Sequence, residues 1–260
     1  MPGFLLFLPT ARNIILQTIL KMKKLLLAFT VLTGLSVSAQ KNNPKKFDLS
    51  NRPKDHLMIQ YGSDSWSGKP DSVRTGGGFS RHFNIYFMLD KPFKTNQKLS
   101  LGIGAGIGSS NIFFDNVNVN IKSTSSKLPF TIADSINHFN KFKLTSLYAQ
   151  IPLEIRYYSN PENPAKSWKF AAGVKLGTLL KSYTKGKNLQ NKSGQSVYGS
   201  SYIMKEYSKK FLNGTDIALT GRVGYGIISL EGSYNMTGVL KEGTGAAMNK
   251  YGIGISISGL

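Results

Sequence analysis

The sequence predicts an all-β protein, an eight-stranded antiparallel up-and-down barrel whose strands cross a membrane. Three observations carry this. Apolar residues alternate with polar residues or glycine, most clearly at Leu99, Leu101, Ile103, Ala105 and Ile107 against Ser100, Gly102, Gly104, Gly106 and Gly108. That period of two marks a strand with two unlike faces. Long and short connections between such segments also alternate strictly. Finally, 15 Phe, 12 Tyr, 2 Trp and 27 Gly suit strands and tight turns better than helices.

The chain opens with an export signal. From Met22 it reads Met-Lys-Lys, then an apolar run from Leu25 to Leu35, then Val37-Ser38-Ala39 before Gln40. A basic start, an apolar core and small residues at the cleavage site are the parts of a secretory signal. The core of about ten residues is short of the ~20 that a helix needs to span a bilayer. Residues 1–39 are therefore expected to be a signal region cleaved after Ala39, and Met22 as the true start is the simplest account; a longer uncleaved anchor is the alternative. Residues 40–54 are polar, contain Pro44 and Pro53, and read as a flexible periplasmic lead-in.

The barrel domain is expected over 55–260. Its eight strands fall near 55–62, 77–90, 98–110, 143–158, 167–181, 215–224, 227–235 and 249–258. Most reach the 9–11 residues of a tilted membrane strand, and eight is an allowed even number. Segments 63–76, 111–142, 182–214 and 236–248 are long and polar, whereas 91–97, 159–166 and 225–226 are short. Long extracellular loops and short periplasmic turns produce that pattern, with both termini in the periplasm.

The alternation also separates lumen from lipid. On the fourth strand Leu147, Ala149, Ile151, Leu153 and Ile155 oppose Tyr148, Gln150, Pro152, Glu154 and Arg156. On the fifth, Trp168, Phe170, Ala172, Val174 and Leu176 oppose Lys169, Ala171, Gly173, Lys175 and Gly177. A Lys or Arg facing lipid near the midplane costs roughly 2–4 kcal/mol, so the charged faces point inward. Eight strands leave a lumen that side chains just fill. Glu154, Asp216 and Glu231 are expected to pair there with Arg156, Lys175 and Arg222, because a buried unpaired charge is costly. A soluble barrel of lipocalin type would invert the two faces. Tyr61, Tyr157, Trp168, Tyr183, Tyr225, Tyr234 and Tyr251, near strand ends, suit interfacial belts.

The formal charge is +20. Much of it lies in expected loops, at Lys181, Lys185, Lys187, Lys192, Lys205, Lys209 and Lys210. There is neither a basic helix nor an RNA-binding motif, so nucleic acid is not an expected partner. Outer-membrane lipid and anionic lipopolysaccharide are; loops that face only solvent are the alternative.

The run Leu147-Tyr148-Ala149-Gln150-Ile151-Pro152-Leu153-Glu154-Ile155-Arg156-Tyr157-Tyr158, followed by Phe170-Ala171-Ala172-Gly173-Val174-Lys175-Leu176-Gly177, resembles the PorT-like family of outer-membrane β-barrel proteins. The resemblance spans roughly 55–260. It implies insertion into the outer membrane by the barrel assembly machinery and, in one branch, a tie to protein secretion or a surface partner. It implies no catalytic residues. Lys250, Gly252, Ile255 and Ile257 also follow the polar-x-Gly-x-x-apolar-x-apolar order of an assembly signal.

Little in the chain carries chemistry. With no cysteine there is neither a disulfide nor a thiolate metal site. His56, His82 and His138 have no metal-ligand spacing. His82 falls on a polar face, where a hydrogen-bonded lumen histidine outweighs a lipase-like base. The spaced glycines Gly102 to Gly108 lie in a strand with no helix after them, which excludes a phosphate loop. No cofactor is expected. The expected function is non-enzymatic, a structural or a binding and secretion-accessory role through long loops. A small passive pore and a lipid-acting enzyme are the alternatives.

Overall fold

Residues with two-sided patterning pair edge to edge until no edge is left. The computed structural model describes residues 47, 49, 55–76, 80–133 and 136–259. The expected signal region, its cleavage after Ala39 and nearly all of the lead-in lie outside the described residues. Eleven strands are described: β1 (Asp55–Ser67), β2 (Arg81–Pro92), β3 (Leu99–Phe114), β4 (Val117–Val119), β5 (Phe130–Ile132), β6 (Asn137–Tyr158), β7 (Trp168–Asn191), β8 (Ile203–Tyr207), β9 (Thr215–Tyr225), β10 (Ile228–Gly238) and β11 (Asn249–Ser258). Eight of them form the barrel, in the ring β1-β2-β3-β6-β7-β9-β10-β11, with β1 pairing β11 and every contact antiparallel. β4 and β5 make a separate small hairpin, and β8 extends the sheet along the far half of β7.

The expected strand ends need correction. β1 runs on to Ser67, β3 to Phe114 and β7 to Asn191, and β6 begins at Asn137. Parts of the segments expected as loops are strand. At 22 and 24 residues, β6 and β7 are each roughly 70–80 Å long, far beyond a ~30 Å hydrocarbon layer even when tilted. Their far halves stand clear of the lipid.

Polarity inverts where the strands leave it. In the lower barrel the outward face is apolar, with Phe83, Phe87, Ile103, Ile155, Phe170 and Leu230 exposed, while Gln60, Asn84, Gln150 and Glu154 are buried inside. Past Ser110 on β3 the inward residues become Ile112 and Phe114, and on β6 they become Leu144 and Phe142. The outward residues there are Lys141 and Lys143. The upper barrel is thus built like a water-soluble domain, greasy inside and charged outside.

One extra residue makes this work on β7. Its outward residues are even-numbered from Trp168 to Leu176, but Lys181, Tyr183, Lys185 and Lys187 face outward above. The pairing with β6 shifts at Leu147/Tyr148, where Lys181 and Leu179 are the partners and Leu180 is skipped. This bulge reverses the strand's phase. A regular strand would have turned those three lysines into the core.

The inverted interior continues into the connections. Trp66, Phe114, Ile121, Phe142, Phe211 and Met248 belong to one apolar cluster drawn from β1, β3, β4, β6, β7 and the four long connections. Main-chain bonds tie the connections together: Leu128 N–H donates to Thr244 O, Asn213 N–H to Val239 O, and Lys241 N–H to Phe211 O, at 2.8, 3.0 and 2.9 Å. Lys210 Nζ donates to the carbonyls of Ser123, Thr124 and Ser125 at 3.0, 3.0 and 2.8 Å. The long connections form a folded cap over the barrel mouth. At the opposite end the strands are joined by short turns.

Candidate functional site

Three places hold concentrated polarity: the lumen, the boundary between lumen and cap, and the outer wall beneath the cap. The lumen is filled from the short-turn end upward. Arg222 of β9 holds Glu154 of β6 with two nitrogens, Nε to Oε1 at 3.1 Å and Nη2 to Oε2 at 2.5 Å. Arg156 donates Nε to the same carboxylate at 3.0 Å and Nη1 to Asp90 Oδ1 at 3.4 Å. Ser100 Oγ donates to Asp90 at 2.6 Å. Paired arginines and carboxylates with added hydrogen bonds are how buried charge is made tolerable.

Next along the lumen, His82 is clamped between two carboxylates. Asp64 Oδ1 lies 2.7 Å from Nδ1 and Glu231 Oε1 lies 2.6 Å from Nε2. An ionised carboxylate only accepts, so a hydrogen on each ring nitrogen would complete both contacts. Ser110 Oγ donates to Asp64, not to the ring. With both nitrogens occupied, His82 has no serine to activate.

In a separate chain of bonds, Tyr86 OH donates to Gln150 Oε1 at 2.6 Å, and Gln150 Nε2 donates to Asp216 Oδ2 at 2.8 Å. Asn235 donates to the other oxygen of Asp216. The Lys175 ammonium lies 5.8 Å from the Tyr86 ring centre. All six charges assigned to the lumen from the sequence therefore face inward, but they form separate groups. Glu154 meets Arg156 and Arg222. Glu231 meets His82 and not an arginine, and Asp216 meets amides. Which strands face each other across a closed barrel decides this, and alternation along one strand does not report it.

The glycines of β3 make room for these groups. A β-carbon on Gly102 would sit 2.6 Å from Arg156 Nε. On Gly106 it would strike Tyr86 and the Ile85 carbonyl, and on Gly108 the Gln150 amide. Between lumen and cap lies a cavity of about 20 Å³, bounded by Trp66, Tyr148, Asp216, Asn235 and Lys250, room for about one water. Among the described residues, no cluster of His, Asp or Glu is placed to hold a metal ion.

Outside, aromatics form two belts. Trp168 and Tyr225 contact edge to face at 5.6 Å at the short-turn end. Tyr183 and Tyr207 lie 5.3 Å apart at the cap end, where Tyr234 opposes Tyr251 on β10 and β11. Just above the Tyr183–Tyr207 pair, Lys185 stands opposite both Lys143 of β6 and Lys205 of β8. Lys185 and Lys205, expected in loops, lie on strands.

An apolar band between aromatic belts around a polar filled lumen is the build of a barrel made for lipid. A family profile described as outer membrane protein beta-barrel domain matches residues 21–241. The chain belongs to the outer membrane protein beta-barrel domain family. This barrel resides in the outer membrane. Among solved structures, the barrel is similar to Ail, the attachment invasion locus protein of Yersinia pestis, in complex with the heparin analogue sucrose octasulfate, at 12% identity and a TM-score of 0.33, covering 79% of this chain and 98% of that one. A second structure of Yersinia pestis Ail matches at 13% identity and a TM-score of 0.28, with the same coverage. No curated protein matches the chain.

Proposed function

We propose that this outer-membrane barrel is a non-enzymatic protein of PorT-like type that acts through its folded extracellular cap, as a binding or secretion accessory. The observation that carries this is the cap itself. Its loops are packed on a shared apolar cluster and cross-tied through main-chain bonds, so they present one shaped surface. Below the cap the lumen charges serve as a structural plug, which leaves little path for solute. His82, held between Asp64 and Glu231, serves that plug and not hydrolysis. Partners in this reading are the barrel assembly machinery, addressed through Lys250, Gly252, Ile255 and Ile257, outer-membrane lipopolysaccharide, and a surface or secreted protein.

The test has two arms. Proteoliposomes carrying the full chain are expected to show no sugar-driven swelling; flux at the level of an open pore overturns the plug. Replacing 115–136 with a short turn is expected to leave heat-modifiable barrel in the outer membrane and to abolish secretion or surface display of cargo in the host. Unchanged export overturns the accessory role. Phospholipid hydrolysis by the wild type that is lost in His82→Ala would instead establish the enzymatic alternative.

A further inference from the structure

The outer wall beneath the cap carries a ladder of like charges. Lys143, Lys185 and Lys205 stand directly opposite one another on β6, β7 and β8, and Lys141 and Lys187 form the next row up. All five face away from the apolar core. Among the described residues none has a carboxylate within 4 Å. The one acid of β8, Glu206, points to the opposite face with Thr184. Like charges placed directly across a sheet destabilise it. One member of the ladder is held in place: Lys143 Nζ donates to Asn111 Oδ1 at 2.7 Å and lies 5.4 Å from the Phe113 ring centre, with the Arg81 guanidinium 5.5 Å from the same ring.

We infer that this ladder binds the phosphate groups of lipopolysaccharide in the outer leaflet. Charge complementarity selects a multiply charged anion, since one phosphate set between three ammonium groups relieves both repulsions at once. Height selects the lipid. Below the ladder come the Tyr183–Tyr207 belt and then the apolar wall at Leu147 and Ala149. Two rows of strand at a 35–45° tilt put the ammonium groups about 10 Å above that wall, in the headgroup layer. Lys181, whose Nζ lies 4.6 Å from the Tyr207 ring, marks the lower rim. A soluble polyanion would meet the cap's top; this row faces sideways, into the membrane's polar zone.

The inference rests on the outer-membrane lipopolysaccharide contact proposed above and names its site. The experiment measures binding of bisphosphorylated lipid A to the refolded full chain in neutral detergent micelles. The triple variant Lys143→Gln, Lys185→Gln, Lys205→Gln is expected to lose on the order of 100-fold in affinity, at about 1 kcal/mol per surface lysine. Lys192→Gln with Lys209→Gln, elsewhere on the cap, is expected to change nothing. Dephosphorylated lipid A is expected to bind both proteins weakly. Wild-type affinity in the triple variant overturns the inference, and so does a soluble polyphosphate bound as tightly as lipid A. Should the triple variant lack heat-modifiable mobility, the wild type decides: lipid A binding unchanged in about 0.5 M salt overturns a charge-based site. A chain that fractionates outside the outer membrane defeats the broader reading; one that inserts yet binds no lipid A defeats only this inference.

Discussion

Arg222 and Glu154, 68 residues apart on β9 and β6, meet through two parallel hydrogen bonds inside the barrel. Arg156 reaches the same carboxylate and also Asp90, so Glu154 and Asp90 together offset two buried guanidinium groups. Glu154→Gln takes the bidentate carboxylate from Arg222 and leaves Arg156 with Asp90 alone. It is expected to lose about 3–5 kcal/mol of stability, read as an earlier urea midpoint in micelles. Removing Arg222 as well, as Met, is expected to restore part of that loss, because the two side chains are one unit. Strict additivity of the two changes would show that the pair is not coupled.

Gly106 and Gly221 separate two uses of glycine. A β-carbon on Gly106 collides with Tyr86 and with backbone, whereas one on Gly221, on the lipid face, meets nothing within 4 Å. Gly106→Ala is expected to cost at least 1–3 kcal/mol through overpacking of the lumen, and Gly221→Ala to stay within about 0.5 kcal/mol. Equal melting temperatures for the two variants would contradict the packing described.

Leu180 sets the phase of upper β7. Its deletion is expected to turn Lys181, Lys185 and Lys187 toward the cap core while leaving the membrane half of the strand in register. Limited proteolysis of the deletion variant should cut within 182–214, with the lower barrel protected. A cap as resistant as the wild type's would rule out the bulge as the device that orients the lysines.

Phe211 is fully buried in the cap. Phe211→Ala is expected to cost about 3–5 kcal/mol of cap stability. Hydrogen exchange should rise across 111–142 and 236–248 and remain slow in β9 and β10 below. Uniform loosening of the whole barrel would mean that cap and barrel unfold together.

Lys143, above the lipid-facing band, is held below its ordinary value of 10.5 first by partial burial and then by the fields of Lys185, Arg81 and Lys205. A lysine whose pKa is depressed on folding weighs against the fold while charged, and that cost disappears as pH rises to its unfolded value. Lys143→Gln is therefore expected to stabilise the barrel near neutral pH at low salt. The advantage over wild type should shrink as pH approaches 10.5. An advantage constant with pH would place its origin elsewhere than in charge.

The sequence by itself determined the number of barrel strands, the faces of the lower strands where alternation is clear and the long-short order of connections. Each of these depends on period-two patterning or on turn residues close together in the chain, as at Leu99–Gly108 or 159–166. It also determined that Glu154, Arg156, Lys175, Asp216, Arg222 and Glu231 lie on polar faces. What only the tertiary structure decided is who meets whom. His82 joins Asp64 to Glu231 from separate strands because closure of the barrel brings β1, β2 and β10 around one point. The strand extensions escaped the sequence because polarity inverts above the lipid: inward Phe142 and Leu144 alternate with outward Lys141 and Lys143 over too few residues to stand out from a polar loop. On β7 the Leu180 bulge breaks the alternation outright. A pattern rule follows one phase along one strand, whereas the cap, the lumen groups and the lysine ladder each depend on contacts between strands.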